Sequence, residues 1–429
     1  MNQAPPKAQR GLGAPKTAKL FPAQGSARAW VVFALWIVSS LLGFVAVFNL
    51  GILLPGISAD LGLSPGEQGI LGSAGFWGNL ALGIPIGWLT TRFGPKAVIG
   101  WMLVLSSGLL FWQGWSPIFA ALLAGRLLFG VCLLAIEPPG ALLIQQWFPP
   151  HRVMFVNSLN NAAFGLIMGG GILLTPFILE LAGGRWRVTF YVFGVVFAAL
   201  TLAWLLLGKE RRAPPSEAAQ TQDAPETGLL TGTLKHRDLW AAGVGVLGAS
   251  MAWSAVLSFF PTLTLNSHGI SLRWSGGILA LGLLGGGLAG LGAAYLMARA
   301  DTRRAVLFLM GLCMAGGYAA MTLTDSIPLL MLTSFIAGAG SGYFPVLYTV
   351  PFQLPVRHSK QVSVSIAFFL TMVSAGSVLG PLATGYLQEL FDELRLPLII
   401  VGLSSLTLCL AGLMLRPAGI QTQPEKAPA

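Results

Sequence analysis

GKERRAPPSEAAQTQDAPETGLLTGTLKHRD, residues 208–238, is the one long hydrophilic connection in a chain that is otherwise dominated by apolar runs. On both sides of it, apolar stretches of about twenty residues recur, bounded by charge, proline or glycine. Twenty residues is roughly what a helix needs to cross the hydrocarbon of a bilayer. Reading backwards from the linker, these stretches fall at 188–207, 154–180, 117–147, 97–114, 68–90 and 30–54. Reading forwards, they fall at 239–264, 275–298, 304–323, 328–352, 361–388 and 396–415. The sequence therefore predicts an all-α integral membrane protein with twelve transmembrane helices in two six-helix halves, 30–207 and 239–415. Residues 208–238 form a polar linker, and 1–29 and 416–429 form polar tails, the first basic and expected to be disordered.

Composition supports this reading. Of 429 residues, 55% are hydrophobic and only 9% are charged, against about 25% charged in soluble domains. A water-soluble fold could not hide that much apolar side chain, so lipid must act as part of the solvent. The net charge of +10 does not imply nucleic acid, because the basic residues sit in short gaps between apolar runs and form no stripe with interleaved aromatics. Of the 25 Lys and Arg, 20 fall on the side of the tails and the linker, 4 on the other side, and Arg126 inside a span. Cationic loops stay on the cytoplasmic side, so both termini are expected in the cytoplasm, with a bacterial inner membrane as the host. The apolar run after the N-terminal tail is too long for a signal peptide. Cys132, Cys313 and Cys409 all lie in apolar runs without metal-ligand spacing, so neither disulfide nor metal nor other cofactor is expected. The chain is expected to act as a monomer.

The halves repeat at an offset of about 207 residues. TRFGPKA (91–97) after the second span matches ARADTRR (298–304) after the eighth, placing Arg92 against Arg299 and Lys96 against Arg303. RLLFG (126–130) matches SFIAG (334–338), and Pro176 in span five matches Pro381 in span eleven. Three matches in one order point to duplication of a six-helix unit, with a central site between the copies.

On these residues the chain resembles the major facilitator superfamily. The family's loop after span two reads G-x-L-a-D-r-x-G-r-k. Here Gly87, Leu89, Arg92, Gly94 and Lys96 match, while Thr91 stands in place of the acid. The resemblance implies a loop (with Arg299 and Arg303 in the second half) that holds the cytoplasmic ends of spans together, and the missing acid implies a weaker latch. Arg126-Leu127-Leu128-Phe129-Gly130 is similar to the family's Arg-x-x-x-Gly stretch in span four, often linked to proton coupling. The Gly-Pro hallmark of drug/proton antiporters is missing from span five. WFPPHR (147–152) and RWRVTF (185–190) look most like the cyanate permease and nitrate/nitrite branch, although that branch's arginines in spans two and eight have no counterpart.

Arg126 and Glu137 are the two ionisable residues deep in apolar runs, and both are in span four. Each costs about 2.5 kcal/mol or more in hydrocarbon, so each should face a watery cavity or a polar neighbour. An ideal helix puts them on one face, about 16 Å apart. Arg126 either holds an anionic substrate or caps backbone carbonyls of a neighbouring span. Glu137 either carries the driving proton or satisfies donors beside Pro138-Pro139, a pair that breaks the helix ladder. Asn157, Asn160 and Asn161 make one stripe at the start of span five, for substrate contact or for gluing helices. Asn49 in span one has the same two readings. Spans one, four, seven and ten line the cavity in the resembled family, which adds Trp253, Tyr343, Tyr348 and Gln353 as candidate contacts. His236 and His268 are expected in loops without a role.

The expected function is secondary active transport of a small solute by alternating access, with a small anion or organic acid as substrate and proton-coupled uptake. Efflux of amphipathic compounds is the alternative within transport, and a non-transporting membrane sensor or partner-binding protein is the alternative outside it. No catalytic set at membrane depth suggests an enzyme.

Overall fold

A computed structural model describes residues 27–78, 92–210, 229–299, 303–354 and 359–415, and among them every regular element is helical. Eleven described helices are long and apolar enough to cross a membrane. The second predicted span is described only up to Gly78, so Gly87, Thr91, most of the linker and both tails lie outside the described residues.

Span one runs Ala27–Phe48 and continues as Leu50–Leu61, with Asn49 at the junction. Span two starts at Pro65–Ser73 and tightens into a 3-10 turn at Ala74–Phe76. Span three is Pro95–Trp115. Span four comes in two pieces, Phe119–Leu134 and Glu137–Trp147. Spans five and six are Pro150–Leu181 and Trp186–Leu207. After the short helix Leu229–Leu234, span seven is Arg237–His268, span eight Leu272–Arg299 and span nine Arg303–Leu323. Span ten begins at Ile327–Gly340 and ends at Val350–Gln353, with two short turns between. Span eleven is Ser359–Phe391, and span twelve runs from Arg395 to Met414 around a 3-10 turn at Ser404–Leu406.

Several helices outrun their apolar cores. Span one continues past residue 54 to Leu61, and span seven reaches His268, which is therefore a helix end rather than a loop residue. Polar residues at the water-facing ends continue the hydrogen-bond ladder at no cost, so hydropathy alone underestimates helix length. Prolines open spans two, three and five, where the missing N–H is an orphan anyway. Span one ends at Gly62 (φ 63°) and span seven at Gly269 (φ 64°), left-handed caps that favour glycine.

That last pair is one of several equivalences at the repeat offset. In the first half, Gly130 of span four lies against the carbonyl of Gly75 in span two with no room for a Cβ; in the second, Gly338 of span ten lies in the same way against Gly282 of span eight. Across the halves, a Cβ on Gly69 would come within 2.6 Å of the Pro381 carbonyl, and one on Gly276 within 2.8 Å of the Pro176 ring. Spans two and eleven thus meet as spans eight and five do. Two of the three matches seen in the sequence, RLLFG with SFIAG and Pro176 with Pro381, are contact points of a duplicated fold.

The ends of spans one, six and twelve that carry Ala27, Leu207 and Met414 define a tail side. The opposite, distal side carries Asp60, Ser116, Gly183, Gly269, Asp325 and Asp392. Toward the distal side the halves press together. Gly51 of span one abuts the Leu257 carbonyl of span seven, and Gly66 of span two meets the Glu389 carboxylate of span eleven. Arg273 of span eight lies 4.5 Å from the ring of Phe177 in span five.

Candidate functional site

Span four is built to break. Pro138 follows Glu137 directly, and the helix is interrupted at Ala135 and Ile136. The Ile136 carbonyl at the break keeps its helical partner, Gly140 N–H, and also accepts from the Trp36 indole at 3.3 Å. Span ten breaks at the equivalent depth, at Ser341–Tyr343 ahead of Pro345.

Arg126 is buried, 1% exposed. Its Nε donates to the Leu71 carbonyl of span two at 3.2 Å, and one Nη donates to the Val47 carbonyl of span one. Both acceptors sit where the helix ladder is disturbed. Leu71 precedes the 3-10 turn of span two, and Val47 lies just before the Asn49 junction. The other Nη of Arg126 is buried without a hydrogen-bond partner, and so are both amide atoms of Asn49. Glu137 is half-buried, and its carboxylate accepts from the Ser40 hydroxyl of span one. Val47 and Ser40 are seven residues apart, two turns of one helix face, so Arg126 and Glu137 do share a face, and that face is turned to span one. The break means that ideal-helix spacing does not carry across Ala135–Ile136, but the direction survives it.

The second half holds Trp253 beside span one, its ring 4.6 Å from that of Phe48. Tyr343 is buried, with its hydroxyl 3.4 Å from that of Ser250. Tyr348 stacks on Phe344 at 5.7 Å and packs edge-on to Phe352 and Phe369. Ser334, the counterpart of Arg126, donates to the Ile278 carbonyl at 2.7 Å, and Ile278 is the counterpart of Leu71. The repeat therefore conserves the hydrogen bond while exchanging guanidinium for hydroxyl.

Other candidates are placed elsewhere. Gln353 is exposed and accepts from Arg303, which also donates to Thr349 at 3.0 Å. This trio lies on the tail side. Arg303 is itself 5% exposed, so Arg126 is not alone as a buried cation, as the sequence suggested. Asn160 is half-buried on span five, while the side chains of Asn157, Asn161 and Arg299 are outside the described set. Gly94 and Lys96 of the motif loop meet Glu210: Lys96 N–H lies 3.4 Å from its carboxylate, and a Cβ on Gly94 would touch it. Arg92 lies over the Phe93 ring at 5.4 Å. Trp36, Ser40, Ser334 and Glu210 escaped sequence reasoning. Ser334 alone had a signal, its alignment with Arg126.

Among the described residues no group of three or more His, Cys, Asp or Glu is placed to hold a metal.

Comparison with known proteins gives the arrangement its context. The family model described as Major Facilitator Superfamily matches residues 35–363. The probable galactarate/D-glucarate transporter GarP of Escherichia coli K12 is 25% identical over 393 residues, covering 82% of this chain and 86% of that protein. The probable sulfoacetate transporter SauU of Cupriavidus necator is 25% identical, covering 89% of this chain and 93% of that protein. A crystal structure of a bacterial homolog to the human lysosomal transporter Spinster, inward-facing and unoccupied, superposes with a TM-score of 0.76 at 18% identity, over 91% of this chain and 98% of that one. The chain belongs to the Major Facilitator Superfamily: it is a multi-pass membrane protein that transports a small solute, and not an enzyme.

Proposed function

We propose that the protein is a proton-coupled importer of a small organic anion, working by alternating access in a bacterial inner membrane with both termini cytoplasmic. The observation that carries the anion is Arg126, a fully buried cation that keeps one nitrogen unpartnered beside the equally unpartnered Asn49 junction of span one. Relatives whose names include galactarate/D-glucarate and sulfoacetate support the same class. Glu137 is the proton carrier in this reading: it is a carboxylate at a helix break, tied to span one by the single hydroxyl of Ser40. Proton uptake that weakens this tie would free the broken span four to move against span one. The 20 to 4 distribution of Lys and Arg supports the orientation. With that orientation, the distal contacts between halves close the outer side, which is an inward-facing state.

The test is uptake into proteoliposomes of a panel of organic anions, with and without an inward proton gradient, for wild type and Glu137→Gln. Gradient-driven accumulation that Glu137→Gln abolishes, while counterflow exchange survives, supports the reading. Absence of flux for every anion overturns it.

A further inference from the structure

Span one grips span four at the place where span four breaks. Trp36 and Ser40 stand one helical turn apart on span one. The Trp36 indole donates to the Ile136 carbonyl at 3.3 Å, and the Ser40 hydroxyl donates to the Glu137 carboxylate. Trp36 is buried, and its ring lies so close on Gly140 that a Cβ there would overlap it. The far end of the same piece of span four, Glu137–Trp147, meets span one as well: Phe148 packs edge-on to Trp30 at 5.1 Å and to Phe33 at 6.0 Å.

The second half shows that the break itself does not need this arrangement. Matching Gly62 to Gly269 and Gly130 to Gly338 aligns Trp36 with Gly243, Ser40 with Leu247, Glu137 with Pro345 and Gly140 with Tyr348. None of the four residues is kept, and span ten still breaks at the equivalent depth. The indole set on a glycine therefore goes with the carboxylate and not with the break.

A carboxylate tied by one hydroxyl depends on where that hydroxyl stands, because a hydrogen bond weakens steeply as its geometry opens. Ile136 directly precedes Glu137, so the indole fixes the backbone one residue before the carboxyl. Gly140, whose N–H binds the same Ile136 carbonyl, closes that turn under the ring. The indole atoms nearest to Gly140 include Nε1, on an edge that a phenylalanine ring lacks.

We infer that Trp36 is a positioning residue for the Glu137 carboxyl: by holding Ile136 and Gly140 it keeps the first turn of the inner piece of span four where the Ser40 hydroxyl reaches Glu137. This rests on the reading of Glu137 as the proton carrier and deepens it, since Trp36 then sets the pH at which the carboxyl takes up its proton. A hydroxyl donating to a carboxylate favours the charged form. Loss of the indole loosens that bond, so proton uptake moves to higher pH.

The test is an infrared pH titration of the full-length protein in proteoliposomes, following the carboxylic C=O band that Glu137→Gln removes. Trp36→Phe is expected to move the midpoint of that band up by about one pH unit, the scale of one hydrogen bond to a charged group. Ser40→Ala is expected to move it as far. Combining the two should move it no further than Ser40→Ala alone, because the indole acts through the hydroxyl. Gly140→Ala, which pushes the ring away from span four, should act like Trp36→Phe and serves if that variant folds poorly. Trp30→Phe, at the far end of the piece, should leave the midpoint in place. A midpoint unmoved by Trp36→Phe and Gly140→Ala overturns the inference and leaves the proton-carrier reading standing. So does a Trp36→Phe shift that adds to that of Ser40→Ala, or that appears when Ser40→Ala has none. If Glu137→Gln removes no titrating band, the inference and the proton-carrier reading both fall.

Discussion

The carboxylate of Glu389, at the distal end of span eleven, accepts the backbone N–H of Gly66, in the first turn of span two, at 3.0 Å. It joins the two halves at a helix N-terminus that already has its own capping box from Ser64 and Glu67. An exposed acid near the positive end of a helix contributes about 0.3–1 kcal/mol. Glu389 is exposed, so the contact is a weak latch, easily released in a transport cycle. Glu389→Gln is expected to speed amide hydrogen exchange in Pro65–Ser73 and in the facing stretch of span eleven severalfold, without changing exchange in span three. Unchanged exchange in both segments would show that the distal closure does not depend on this charge.

The paired glycine crossings make a prediction about symmetry. Gly130 and Gly338 occupy equivalent places against Gly75 and Gly282, and at neither is there room for a methyl group. Forcing one in displaces backbone, at a typical cost of about 1–3 kcal/mol. Gly130→Ala and Gly338→Ala should each lower the Tm of the purified protein by a similar amount. Gly287→Ala, which meets open space, should leave it within error. A large cost at one crossing and none at the other would deny their equivalence.

How much of this was legible in the sequence differs between fold and site. The spans, the six-plus-six division and the repeat were all readable, because apolar length and a duplicated motif are properties of the chain itself. Aligning RLLFG with SFIAG already put Arg126 over Ser334, and the structure turns that match into two equivalent hydrogen bonds. The site was legible only in part. That Arg126 caps carbonyls was one of its two readings, but its acceptors Val47 and Leu71 depend on where spans one and two depart from regular helix, and neither Asn49 nor Ala74–Phe76 announces that departure. Ser40 looked like any serine in an apolar helix, since such a hydroxyl usually bonds its own preceding turn, as Ser39 does to Leu35. Gln353 was drawn to the site by its place on span ten, whereas the fold commits it to Arg303.

Arg126 has a structural duty that must be separated from any duty to solute. Removing it leaves the Val47 and Leu71 carbonyls short of a buried partner, costing roughly 1–3 kcal/mol each by the usual penalty. Lysine cannot reach two carbonyls from a planar fork. Arg126→Lys is therefore expected to lower Tm and also to raise the KM for anion at least tenfold in the protein that remains folded, judged per folded molecule by size-exclusion chromatography. A fall in Tm with an unchanged KM would leave Arg126 as a carbonyl cap alone.

Gln353 offers the opposite case. Its side chain accepts from Arg303 on the tail side, where Arg303 also holds Thr349. These residues join the start of span nine to the end of span ten, at the second-half counterpart of the motif loop. In the proposed alternating-access cycle, a residue placed there acts on the rate of exchange, since it joins the tail-side ends of spans nine and ten and does not touch the Arg126 face of the bundle. Gln353→Ala is expected to alter maximal transport velocity about two- to fivefold, the scale of losing one charge-assisted hydrogen bond partly shared with Thr349. KM should stay unchanged, and binding affinity measured at equilibrium should match wild type. A rise in KM with velocity intact would instead return Gln353 to the solute pathway, as its position on span ten first suggested.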